Sequence, residues 1–234
     1  GPTGLFTVFE AGLLKMKCHI LDSLTQPGGQ CIELYPKKPI YDIPGYPEII
    51  AGDLIENLLE QIKPFQPSYT LGETALNLDK LDDGSFKVST DKGTEILAKI
   101  IAIAGGLGTF TPRKPNISNI SDYENKGILY MIKDPSEFKD KKVVIAGGGD
   151  SALDWSIQLS KISKKVILIH RRNEFRGADD SVASVQKLKD LGMIDVITPA
   201  QVEKLNGKSK LESIIIDVDG NKSKIETDYF IPLF

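Results

Sequence analysis

Apolar positions along this chain fall into helical and strand registers by turns, and glycine-rich punctuation between them predicts an α/β architecture. Leu5, Phe6, Val8, Phe9, Leu13 and Leu14 form an amphipathic run directly after Gly1-Pro2-Thr3-Gly4, and Cys18-His19-Ile20-Leu21 follows as a short strand. A helix is expected over Asp53 to Ile62, where Leu54, Ile55, Leu58, Leu59 and Ile62 share a face and Asp53 and Glu56 are spaced as a D-x-x-E cap. Short β runs come next, Ala75 to Leu78, Ser85 to Ser89 and Ile96 to Ala104, with turns at Asp82-Asp83-Gly84 and Asp91-Lys92-Gly93. The second half repeats the order: strand Lys141 to Ala146, helix Leu153 to Ile162, strand Val166 to Ile169. The runs Leu211 to Val218, Ser223 to Glu226 and Tyr229 to Leu233 are then expected to close the unit as a β meander.

The glycine turns between these elements carry the candidate chemistry. Gly147-Gly148-Gly149-Asp150-Ser151-Ala152 is a G-x-G-x-x-A fingerprint in full strand–turn–helix context, which places a helix N-terminus and its free N–H groups against a pyrophosphate. The next strand ends at His170, 21 positions beyond Gly149, where Arg171, Arg172 and then Arg176 follow. Cations at that strand end pair with a ribose 2′-phosphate and give NADPH an attraction that NADH lacks; solvated surface arginines are the bland alternative. Gly1 and Gly4 fit the second and third glycines of a similar fingerprint, and Asp22 lies 21 positions after Gly1. A carboxylate there accepts ribose hydroxyls of FAD or NAD, although a turn or cap aspartate fits the position equally. No strand precedes Gly1, so the first strand of this first domain is expected to be missing from these residues.

Composition narrows the function classes. The 234 residues are 41% hydrophobic and 26% charged, enough for two modest cores. A net charge of -3 gives no general attraction to nucleic acid, and no apolar run approaches the roughly 18 residues of a membrane span. Two cysteines, Cys18 and Cys31, and two histidines leave no disulfide framework and argue against a metal site, which fits a reducing cytoplasm. The domain junction is expected near Pro112-Arg113-Lys114-Pro115, after Gly105-Gly106-Leu107-Gly108.

Taken in order, Gly1-Pro2-Thr3-Gly4, Asp22-Ser23-Leu24, Gly28-Gly29-Gln30, Leu34-Tyr35-Pro36, Tyr41 to Gly45, Gly147 to Trp155 and His170-Arg171-Arg172 with Phe175-Arg176 resemble the thioredoxin-reductase-like ferredoxin/flavodoxin NADP reductases. The resemblance implies two Rossmann-like, three-layer dinucleotide-binding domains with β-meander inserts: an FAD domain over 1–115, an NADPH domain over 116–231, and a return towards the FAD domain at 232–234, whose C-terminal part is expected to be missing from these residues. It implies Gly1, Thr3, Gly4 and Asp22 on the FAD phosphate and ribose, Gln30 beside the flavin, Tyr35 stacked on the ring, and Ala75 and Phe110 as further FAD contacts. Gly147, Gly149, Asp150, Ser151, His170, Arg171, Arg172 and Arg176 fall to NADPH. No side-chain nucleophile and no metal are required. Reducing equivalents would pass from NADPH through FAD to ferredoxin or flavodoxin, in a cytoplasmic homodimer. Such partners are often acidic, and Lys37 and Lys38 beside Tyr35 are candidates for the basic patch, or else ordinary solvated lysines.

Thioredoxin reductases of this group need a C-x-x-C pair before the second fingerprint, and Tyr130 to Lys142 contains no cysteine. Cys18 and Cys31, 13 positions apart, fit two buried or inert thiols better than a redox bridge. The alternatives that remain are a disulfide or quinone reductase, and a nucleotide-binding fragment without activity.

Overall fold

Helix α1 (Pro2–Leu13) begins at the Gly-Pro-Thr-Gly sequence because Pro2, at its first position, needs no backbone donor there. The computed structural model describes residues 1–108 and 114–234. The chain divides into two compact units, Gly1–Thr111 and Pro112–Phe234. In the first, strand β1 (His19–Asp22) leads to the short helix α2 (Gln30–Glu33), and the hairpin β2 (Pro39–Ile40) and β3 (Ile49–Ile50) delivers the chain to α3 (Ala51–Ile62). The three helices share a core of Leu5, Val8, Cys31, Ala51, Ile55 and Ile62. Strand β4 (Ser68–Leu71) then pairs in parallel with β1, His19 opposite Ser68 and Asp22 opposite Leu71. The strands β5 (Ala75–Lys80), β6 (Phe86–Thr90) and β7 (Glu95–Ala98) follow as an antiparallel meander.

Two expectations change here. Helix α3 starts at Ala51 with Ile50 as its N-cap, so Asp53 lies inside the first turn and the D-x-x-E cap is not made. The reason is tertiary: Ala51 N–H donates to Lys38 O at 3.0 Å and Gly52 N–H to Pro36 O at 2.9 Å, so carbonyls of the preceding segment take the helix's orphan donors. The run Ile96 to Ala104 is strand only as far as Ala98; Ile103 is 84% exposed, and among the described residues no named strand pairs with 100–104.

The second unit is built on a parallel sheet. Strand β8 (Lys142–Ala146) leads through the glycine turn to α4 (Asp150–Leu159), and β9 (Lys165–Ile169), α5 (Asp179–Asp190) and β10 (Ile194–Ile197) follow. The meander β11 (Gln201–Asn206), β12 (Ser213–Val218) and β13 (Asn221–Glu226) precedes a last strand, β14 (Tyr229–Pro232). The sheet order is β10-β9-β8-β14, all parallel, so β14 pairs with β8 and does not continue the meander as the sequence pattern suggested. A strand buried on both faces reads as a continuous apolar run, and Val143, Val144, Ile145 and Ala146 of β8 are all buried. On one face Val144, Ala146, Ile169 and Phe230 pack with Ile117, Ile120 and the meander residues Leu205, Ile214 and Ile216; α4 and β8 pack on each other. Helix, sheet and meander make the three layers expected.

Truncation of a fully buried aromatic at the seam of sheet and meander removes contacts from both layers. Phe230→Ala is expected to destabilise this unit by about 3 to 5 kcal/mol. The single tryptophan, Trp155, is buried in α4 of the same unit, so its fluorescence during urea unfolding reports that loss directly.

Candidate functional site

The turn between β8 and α4 is backbone wedged among three neighbours. A Cβ on Gly147 would fall 2.3 Å from the carbonyl oxygen of Leu233 and 2.7 Å from the Cβ of Ala152, so a side chain there would force strand and helix apart. A Cβ on Gly148 would meet the His170 ring at 2.3 to 2.6 Å. At Gly149 nothing lies within 4 Å. That opening sits over the start of α4, whose N-cap is Gly149 and whose first N–H groups have no side-chain cap. Free donors at the positive end of a helix, reached over a residue with no side chain, suit a pyrophosphate. The one acid of the first turn, Asp150, turns away from this role: its Oδ1 accepts the N–H of Ala178 at 2.7 Å. Ser151 is exposed beside it.

The segment after β9 is stitched to this turn. His170 is 6% exposed; its N–H donates to Ile197 O at 3.2 Å, and its carbonyl accepts the N–H of Ala200 at 2.8 Å. Its ring stacks on Phe175, with centroids 5.6 Å apart, while Nε2 has no hydrogen-bond partner. The N–H of Arg176 donates to Gly148 O at 2.6 Å. Burial holds the His170 imidazole below its ordinary value of 6.5, and Arg176, Arg171 and Arg172 push the same way. His170 is therefore a neutral, interior ring, whereas Arg171, Arg172 and Arg176 are exposed and supply the positive charge. A groove of about 690 Å³ opens beside Arg171, and Glu203, Asp217 and Asp219 in its wall disfavour phosphate within it.

In the first unit several loops converge on the start of α1. Gly1 lies against the backbone of Gly28 and Gly29, and a Cβ on Gly29, whose φ is +59, would fall 2.8 Å from the Gly1 Cα. Gly4 faces Ala104, and Gln30, the first residue of α2, brings its side-chain amide near Gly106. No acid and no side-chain cap occupy the first turn of α1, where Thr3 is exposed. Asp22 ends β1 and accepts the N–H of Leu24 at 3.1 Å through Oδ1. Ala75 heads β5 and is exposed. Phe110 falls outside the described residues.

Tyr35 follows α2, with the Lys38 ammonium 5.8 Å from its ring centroid. Burial first and then the neighbouring Cys31, a partner the sequence pattern did not reveal, push the phenol up to about 12. Burial likewise raises the Cys31 thiol, which disfavours the thiolate that disulfide exchange requires. Cys18 and Cys31 are both free thiols. Among the described residues no cluster of acids, histidines and cysteines could hold a metal, and no helix is long and apolar enough to cross a membrane.

Because the folded state holds His170 neutral, unfolding takes up a proton once the pH falls below 6.5. Stability is expected to be complete above that value and to decline below it, by at most about 1.4 kcal/mol per pH unit from this one group. Urea midpoints of the wild type and His170→Gln between pH 7.5 and 5.5 check this: the variant lacks that part of the decline.

Comparison with known proteins identifies the family of the chain. The family model for pyridine nucleotide-disulphide oxidoreductases matches residues 1–232. A ferredoxin–NADP reductase of Flavobacterium johnsoniae is 64% identical over 234 residues, covering 100% of this chain and 67% of that protein. A ferredoxin–NADP reductase of Rickettsia felis is 48% identical over 236 residues, covering 100% of this chain and 70% of its own length. Among solved structures, Lactococcus lactis thioredoxin reductase superposes with a TM-score of 0.84 at 22% identity, covering 100% of this chain and 74% of that one, a likeness of fold. With two glycine turns set at helix starts, and a family model matched over nearly its whole length, the chain belongs to the pyridine nucleotide-disulphide oxidoreductase family.

Proposed function

We propose that this chain carries the nucleotide-binding body of a ferredoxin–NADP reductase, taking reducing equivalents from NADPH through FAD to ferredoxin or flavodoxin. Relatives at 48% to 64% identity along the full chain bear the first of those names. The observation that carries the NADPH half is the joining of three exposed arginines to an open glycine turn. Arg171, Arg172 and Arg176 hold a ribose 2′-phosphate, while Gly149 and the N–H groups of Asp150 and Ser151 hold the pyrophosphate. Residues 116–231 serve as the NADPH domain and residues 1–115 as the FAD domain, with 232–234 beginning the return between them.

In the FAD domain, Gly1, Thr3 and Gly4 present an uncapped helix start to phosphate, and Asp22 keeps a carboxylate oxygen for ribose hydroxyls beyond the one that Leu24 uses. Gln30 sits beside the flavin, Tyr35 supplies a face for its ring, and Ala75 and Phe110 line the remainder. The bound flavin supplies the conversion of a two-electron hydride into single electrons, so the side chains bind, orient and exclude water and need no nucleophile. Lys37 and Lys38 offer positive charge to an acidic carrier protein. A cytoplasmic homodimer completes the reading, supported by the resemblance and by two thiols that form no disulfide. A redox bridge between Cys18 and Cys31 is disfavoured by the raised Cys31 thiol.

Absorbance spectra of the purified chain under anaerobic conditions test the reading. Flavin bands bleached by NADPH and not by NADH are expected; a colourless protein, or equal bleaching by both, overturns it. Arg171→Ala is expected to weaken NADPH by about 1 to 3 kcal/mol and to leave NADH nearly unchanged. Equal losses for the two nucleotides in a binding titration would refute the 2′-phosphate assignment.

A further inference from the structure

The two parts of the NADPH site, the glycine turn and the arginine segment, come from different places in the sequence, yet they meet at one residue. Gly148 has the His170 ring where its Cβ would be, at 2.3 to 2.6 Å, and its carbonyl accepts the N–H of Arg176 at 2.6 Å. Two residues further on, Asp150 Oδ1 accepts the N–H of Ala178 at 2.7 Å. The segment 170–178 is thus fastened to the turn at both ends, by ring packing at His170 and, at the other end, by the N–H of Arg176 on the Gly148 carbonyl and the N–H of Ala178 on the Asp150 carboxylate. The ring in turn is clamped, stacked on Phe175 and buried, with its backbone bonded to Ile197 and Ala200.

We propose that His170 is a positioning residue which, wedged against Gly148, sets the arginines at the distance from the phosphate turn that a 2′-phosphorylated dinucleotide requires. The inference rests on the NADPH reading above and goes beyond it: discrimination between NADPH and NADH depends on a contact between two residues that need not touch the 2′-phosphate. The arginines are exposed side chains on an otherwise irregular segment, so without this anchor their phosphate contacts lose registry with the pyrophosphate held by α4. NADH makes no use of that registry.

The test measures NADPH and NADH affinity for four purified chains, with melting temperature alongside: wild type, His170→Ala, Gly148→Ala and the double variant. His170→Ala is expected to lower the NADPH-to-NADH affinity ratio about fivefold or more, a change that a purely structural role, weakening both nucleotides alike, would not produce. Gly148→Ala is expected to lose NADPH binding because its methyl group displaces the ring. The double variant should regain part of that loss, since the vacated ring space receives the methyl group. Independent addition of the two effects, or a folded His170→Ala chain with the wild-type ratio, overturns the proposal. Should Gly148→Ala fail to fold, the ratio for His170→Ala decides alone. A wild type that does not prefer NADPH refutes the nucleotide reading itself, whereas preference retained in His170→Ala refutes only the role of the ring.

Discussion

The second unit depends on how closely the Gly147-Gly148-Gly149 backbone is approached by its surroundings. A side chain on Gly147 would collide with the chain just beyond β14 and with the first turn of α4, and one on Gly148 would collide with the His170 ring just after β9. The sheet's central strand, the helix behind it and both neighbouring strands therefore meet over a few ångströms of bare backbone. Only at Gly149 is the space left empty, and that is where an anion can come within reach of the helix N-terminus. Close packing and ligand access are thus divided between successive residues of one turn.

The two units use one plan with opposite charge at the end of the strand that follows the first helix. Asp22 stands at the end of β1, and three arginines gather after β9. Each strand is followed by helix, a further parallel strand and an antiparallel meander, with the β2–β3 hairpin and two helices, α2 and α3, before the parallel strand in the first unit. On the proposed reading, cations in place of a carboxylate at an equivalent place favour a phosphorylated over an unphosphorylated ribose.

Much of this was legible in the sequence, for definite reasons. The strand–turn–helix signals at Gly147 to Ala152 are local, so spacing alone located them. Among the elements that escaped, α5 buries only Val185 and β11 only Leu205, so neither offers a clear apolar period. The start of α3 was misplaced because its cap is made by the carbonyls of Pro36 and Lys38, which no local pattern announces. The place of Tyr229 to Leu233 was misread because strand pairing is chosen by the whole sheet. His170 illustrates a different limit. Its position relative to Gly149 marked it for the nucleotide site, but only its burial distinguishes a neutral wedge from a fourth cation.

The pairing of β14 with β8 bears on how the second unit is made. Lys142 and Asp228, bonded across this seam, are 86 residues apart, and every other strand of the unit lies between them. On a ribosome, β8, β9 and β10 can collapse early around α4 and α5. The edge of β8 must then wait, unpaired and apolar, until Tyr229–Pro232 emerges. The meander inserted between β10 and β14 lengthens that wait, so the unit is most exposed to mispairing during synthesis at the strand that also leads into its glycine turn.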